Sequence, residues 1–113
     1  MSIIYKIVTR REWAFAEAAG RFDGSTVDRA DGFIHFSTAD QVEETARRHF
    51  AGQPDLILVA VDGDALGAAL KWEPSRGGAA FPHLYGPLPR SAVKSSRSLP
   101  LGAGGHDFSG LLG

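Results

Sequence analysis

The chain has 113 residues, 43% of them hydrophobic and 22% charged, with a formal net charge of -1 and a sequence pI near 6.4. That balance excludes a disordered polyelectrolyte and argues against nucleic-acid binding driven by bulk charge, while an RNA end held by a local patch stays open. There is no cysteine, so disulfides, thiol nucleophiles and thiolate metal sites are excluded together.

At this length a single domain is expected, able to bury roughly two thirds of its unfolded surface. We place it at residues 1–100, as a monomer, with a Gly-rich and loosely packed tail at 101–113. Met1 to Lys6 lack the basic start and apolar run of a signal peptide. No apolar run nears the roughly 20 residues of a membrane span, so the expectation is a cytoplasmic protein with no membrane partner.

Ile3 to Val8, β-branched and aromatic except for Lys6, reads as a strand central in a sheet. Thr9-Arg10-Arg11-Glu12 has capping-box spacing and opens a helix to Ala19, with Trp13, Ala16 and Ala19 on an apolar face and Phe15 and Ala18 beside them. Residues 22–31 show turn chemistry and no period, which predicts a loop. Gly32 to Phe36 is the next strand: alternation puts Phe33, His35 and Ser37 on one face, and Ile34 and Phe36 on the other.

Ser37 or Thr38 caps a helix over Ala39 to Phe50, with Gln41 completing a Thr-x-x-Gln box. Val42, Ala46, His49 and Phe50 fall at core spacing, and Glu43 with Arg47 and Glu44 with Arg48 form a solvated, ion-paired face. Leu56 to Val61 is apolar without alternation, the pattern of a fully buried strand. Ala69 to Glu73 is a short strand stopped by Pro74. Ser75 to Pro89, with three prolines and three glycines in fifteen residues, reads as a long functional loop, and Ser91 to Leu99 as a last strand near a sheet edge.

His35 is the sharpest candidate. A histidine on a short apolar strand, followed by Ser37, Thr38 and a helix start, is where backbone amides attract an anion such as phosphate. The competing reading is a buried histidine bonded to a carbonyl. Arg76 beside Gly77-Gly78 offers a fork of donors for phosphate or carboxylate, and His83 and Tyr85 lie two apart, so an extended backbone points both the same way. An ordinary surface loop is the alternative there. Glu73, at a strand end, is either a base or ribose ligand or an exposed edge charge. His35, His49, His83 and His106 show no metal-ligand spacing, so no metal is expected. The pattern Gly-Phe-Ile-His-Phe-Ser is no nucleophile elbow, and neither Gly-Gly pair fits a phosphate loop or a dinucleotide fingerprint.

Ile4-Tyr5-Lys6-Ile7, the helix with Trp13, Gly24-Ser25, Asp31 to Thr38, Gln41-Val42, Leu70 to Glu73 and Phe81 to Gly86 resemble the bacterial family called domain of unknown function 952, over about residues 3 to 95. The resemblance implies an α+β domain: a small split, mostly antiparallel sheet with two main helices, ADP-ribosyltransferase-like. It further implies NAD or a related nucleotide as the ligand, which would be a substrate and not a resident cofactor. In that setting His35 matches the residue that holds the ribose, while Tyr85 as stacking aromatic and Glu73 as acid follow from residue type and position alone.

With no clear catalytic glutamate motif, RNA 2'-phosphotransferases stand nearer than mono-ADP-ribosyltransferases. The leading expectation is therefore a nucleotide-binding transferase of ADP-ribosyltransferase-like type. Its catalytic residues would be His35, His83 and Glu73, and its ligand-binding residues Ser37, Thr38, Arg76 and Tyr85. The alternatives are a non-catalytic module for a small molecule or peptide, and a metal-free phosphodiesterase using His35 and His83. That third reading needs the two rings within about one substrate of each other.

Overall fold

The computed structural model describes residues 2–112. In chain order its elements are β1 (Ile3–Thr9), α1 (Arg10–Ala19), β2 (Arg21–Phe22), α2 (Thr26–Asp31), β3 (Ile34–His35), α3 (Ala39–His49), β4 (Leu56–Asp62) and β5 (Leu70–Pro74), then β6 (Ala80–Leu84), β7 (Leu88–Pro89), β8 (Val93–Leu99), β9 (Leu101–Gly102) and β10 (Gly105–His106). The class is α+β, and every strand pair described is antiparallel. Among the described residues no helix is long and apolar enough to cross a membrane.

Two three-stranded sheets, β1-β4-β8 and β3-β6-β5, dominate. In the first, β4 takes the centre and β1 an edge, reversing the place expected for β1. The reason β4 shows no hydrophobic alternation is that both of its faces are covered. Ile57, Val59 and Val61 face one core with Ile4, Val8, Trp13, Phe22, Ile34 and Phe36. Leu56 and Leu58 face a second with Tyr5, Ile7, Val42, Ala46, Leu99 and Phe108. Lys6 shares its face of β1 with Ile4 and Val8, so an ammonium is buried beside the first core.

The two sheets meet through four residues. Ile34 and His35 pair with Leu84 and His83 of β6, and the Phe36 amide then donates to Pro82 O at 3.0 Å. Pro82 has no N–H to return, so the ladder ends there and β3 stops at His35, short of the expected Phe36. Ser37 turns its backbone the other way, exchanging bonds of 2.8 and 2.9 Å with Tyr5 of β1. Continued antiparallel register would set His35 opposite Ile7; instead the His35 amide donates to a side chain, Asp28 Oδ1, at 3.1 Å. The sheets part at that point, and a cleft opens between them.

Several local expectations are corrected. The loop predicted over 22–31 contains α2, opened by a Ser25–Asp28 capping box and closed by Gly32 in the left-handed region; at six residues it is too short to show a period. Of the apolar face of α1 only Trp13 and Ala16 are buried, and Phe15 is 80% exposed. In α3, Val42 and Ala46 are buried, whereas His49 is exposed and Phe50 follows the last helical residue. The long loop from Ser75 holds β6, the middle strand of its sheet, despite Pro82.

The tail forms a small hairpin, β9-β10, and runs on to Phe108, which is buried in the second core with Leu111 and Leu112 against it. His106 Nε2 lies 2.8 Å from Gln53 O, and Arg97 donates to Gly110 O at 3.2 Å. Replacing Phe108 by Ala is expected to cost roughly 3 kcal/mol in denaturant unfolding. A loss below about 0.5 kcal/mol, the size of an ordinary surface change, would show the tail resting on the fold without packing into it.

Candidate functional site

The cleft at the parting of the sheets has a volume of about 560 Å³ and is lined by β1, α2, α3 and β6, with His35, Ser37 and His83 together on its wall. His35 and His83 are direct cross-strand partners. Their ring centroids lie 5.5 Å apart with planes at 71°. The Phe33 ring stacks on His83 at 4.1 Å and also touches His35 at 4.5 Å and Tyr85 at 5.2 Å, fixing the ring planes by contact.

Each histidine has its own carboxylate at Nδ1. For His35 it is Asp28, at 2.6 Å. Asp28 also accepts from the Ser25 amide at 2.9 Å, from the His35 amide, and from Lys6 Nζ at 2.9 and 3.0 Å. Burial alone would raise the Asp28 carboxyl, but the His35 hydrogen bond and the Lys6 charge outweigh it and hold the group well below the usual carboxylate range. Burial pushes the Lys6 ammonium down, against the opposing pull of Asp28. A second carboxylate, Asp31, lies 2.9 Å from His35 Nε2. Gly24 supports the array from behind: its φ is +107°, and an added Cβ would sit 2.9 Å from Asp28 Cβ.

For His83 the partner is Glu73 on the adjacent strand, at 2.7 Å. The same oxygen accepts the Tyr85 hydroxyl at 2.8 Å. Glu73 is held below its usual value first by the His83 hydrogen bond and then by Tyr85, while Tyr85 is pushed up by its bond to Glu73. An ionised carboxylate only accepts, so both Asp28 and Glu73 place the ring proton on Nδ1. That leaves Nε2 of His83 for chemistry, while Nε2 of His35 already faces Asp31.

The sequence-derived residues thus divide. His35, His83 and Ser37 line the cleft, with the Ser37 hydroxyl 2.9 Å from Thr45 Oγ1. Because Thr45 donates its own hydrogen to Gln41 O, Ser37 is the donor in that pair. Glu73 and Tyr85 stand behind His83, off the cleft wall. Thr38 serves the start of α3, its amide donating to Gln41 Oε1 at 3.0 Å. The Arg76 backbone lies in a short 3-10 turn, and its side chain lies outside the described residues. Lys6 and Asp28 were missed, although a lysine inside an apolar strand and the Ser25-x-x-Asp28 box were both visible. Among the described residues no group of three or more His, Asp or Glu side chains is placed to hold a metal.

A protein-family model, described as protein of unknown function (DUF952), matches residues 7–96. Among solved structures, the crystal structure of protein CC0527 from Caulobacter crescentus is 53% identical and aligns with a TM-score of 0.92 over 96% of each chain. A double mutant of that protein aligns equally well at 51% identity. Its solution NMR structure, 53% identical, gives a TM-score of 0.87 and covers 99% of this chain and 97% of that one. No match was found among curated proteins.

Asp28→Asn is expected to destabilise the fold by about 3 kcal/mol or more, because it strands a buried ammonium, and Lys6→Met added to it should restore much of the loss. Since the Asp28 value is lower folded than unfolded, its stabilisation is complete above the unfolded value, about pH 4, and fades as pH falls below it. Urea midpoints of wild type and Asp28→Asn should therefore converge on acidification. A gap that stays constant down to about pH 2 would contradict the array.

Proposed function

The chain belongs to DUF952, a family of proteins of unknown function, and on that footing we propose that its cleft binds a nucleotide or similar phosphate-bearing molecule and performs acid–base chemistry on it with His35 and His83. One observation carries this reading: two histidines side by side on a cleft wall, each anchored at Nδ1 by its own carboxylate. With Nδ1 protonated toward Glu73, His83 keeps a lone pair on Nε2 to take a proton from an attacking hydroxyl or water. His35, held by Asp28 and the buried Lys6, faces the same space and supports the leaving side. Glu73, Tyr85 and Asp28 act through the two rings, as positioning residues.

Support for a nucleotide comes from the cleft itself. Its volume falls in the range of small-molecule sites, and its walls combine Phe36, Phe50 and Phe81 with Ser25, Thr26 and the two histidines. In the ADP-ribosyltransferase-like form of the reading, NAD is the substrate and the bond to nicotinamide breaks as a hydroxyl attacks the ribose carbon. A second form is favoured by the 5.5 Å ring spacing: metal-free phosphodiester cleavage, with one histidine as base and the other as acid.

The test is calorimetric binding of ADP-ribose together with turnover of NAD and of a dinucleotide phosphodiester. Turnover of one of the two is expected, falling by about a hundredfold or more in both His35→Ala and His83→Ala. Binding that survives both substitutions without turnover of either compound would replace the enzyme by a non-catalytic binding module. Neither binding nor turnover at millimolar ligand would end the nucleotide reading.

A further inference from the structure

Asp31 stands apart from the other carboxylates around the histidines. Asp28 already engages both of its oxygens, Oδ1 with Lys6 and with the ring and amide of His35, Oδ2 with Lys6 and the Ser25 amide. Asp31 adds a second carboxylate to His35, at Nε2, the nitrogen that substrate chemistry needs. Its side chain is 49% exposed, against 0% for Asp28. It is the last residue of a six-residue helix, followed by Gly32 in the left-handed region with open space around it. The exposed carbonyls at a helix end disfavour a carboxylate, so the contact with His35 is what seats this one. Nothing buried moves if it swings out.

We infer that Asp31 is a built-in stand-in for an anionic group of the ligand, a carboxylate that occupies His35 Nε2 until a phosphate oxygen displaces it. This rests on the reading of the cleft as a site for a phosphate-bearing molecule, and it names where that phosphate sits. With Asp31 withdrawn, the buried Lys6 and the donors of His35 face the cleft with one fewer carboxylate, Asp28 and Glu12 being those left in its lining. A phosphate, with oxygens pointing in several directions, can meet both rings across their 5.5 Å spacing, with the Ser25 and Thr26 hydroxyls on the same wall. The Asp31 carboxylate contacts only one of them.

The experiment titrates inorganic phosphate, at ionic strength held constant with chloride, into wild type, Asp31→Ala and Asp31→Asn while following the ring C–H resonances of His35 and His83 by NMR. Glu17→Ala, which removes a carboxylate of α1 that pairs with Arg90 outside the cleft lining, controls for net charge. Asp31→Ala should bind phosphate about tenfold tighter than wild type. Asp31→Asn should fall between them, with both histidine resonances moving, Glu17→Ala unchanged and thermal midpoints close to wild type. Affinity unchanged or weaker in Asp31→Ala, an equal gain in Glu17→Ala, or shifts confined to residues away from the two rings would overturn the inference. The outcomes separate from those for the enzyme. Tighter phosphate binding in Asp31→Ala with no nucleotide turned over leaves the anion seat standing and removes the catalytic reading. Turnover with a phosphate affinity indifferent to Asp31 does the reverse.

Discussion

One buried carboxylate, Asp28, ties together groups that would otherwise be left unsatisfied. It neutralises an ammonium that β1 carries into the interior, it takes the His35 amide where the sheet ladder has ended, it caps α2 through the Ser25 amide, and it orients the His35 ring. Each of these donors is costly to leave unpaired away from water. The array is therefore all-or-nothing: the helix, the strand end and the histidine are positioned by the same two oxygens. A site built this way is stiff at the cleft wall, because moving the His35 ring means giving up its bond to a buried carboxylate.

The cleft itself follows from an interruption of sheet pairing. Pro82 cannot return a hydrogen bond to Phe36, so the chain leaves β6, and at Ser37 it joins β1 for a single pair of bonds. That single bridge joins the two sheets, and beyond it they separate around Asp28. His35 and His83, as the last cross-strand pair before the interruption, are left at the rim with side chains close enough to share one ligand. The second carboxylate–histidine pair, Glu73 with His83, needs no break in the sheet, since β5 and β6 are regular neighbours and the contact is cross-strand.

Much of this was legible in the residues. The capping boxes at Thr9 and Thr38 marked both main helices, the uninterrupted run of Leu56 to Val61 marked the buried strand, and the Asp31–Thr38 stretch marked the junction. What was not legible depends on partners distant in sequence. The six residues of α2 are too few for a helical period, so Asp28 looked like part of a turn. Lys6 looked like a mere break in an apolar strand, since its partner lies 22 positions on. Pro82 argued against a central strand, yet β6 carries it at the one point where a missing N–H is structural. Glu73 and Tyr85 read as acid and stacking aromatic, whereas both bond behind the His83 ring, away from the cleft wall, a place set by sheet register and not by residue type.

The central claim is that two carboxylates, Asp28 and Glu73, hold the Nδ1 protons of two neighbouring histidines and so turn both Nε2 atoms away from the carboxylates that anchor the rings. Nitrogen-15 NMR of the imidazole rings at neutral pH, with His35→Ala and His83→Ala used to assign the signals, tests it most directly. The account predicts a protonated Nδ1 on both rings, and in His83 an Nε2 signal of the lone-pair type. An unprotonated Nδ1 on either ring would mean that its carboxylate does not hold it as described, and the paired acid–base site would be contradicted.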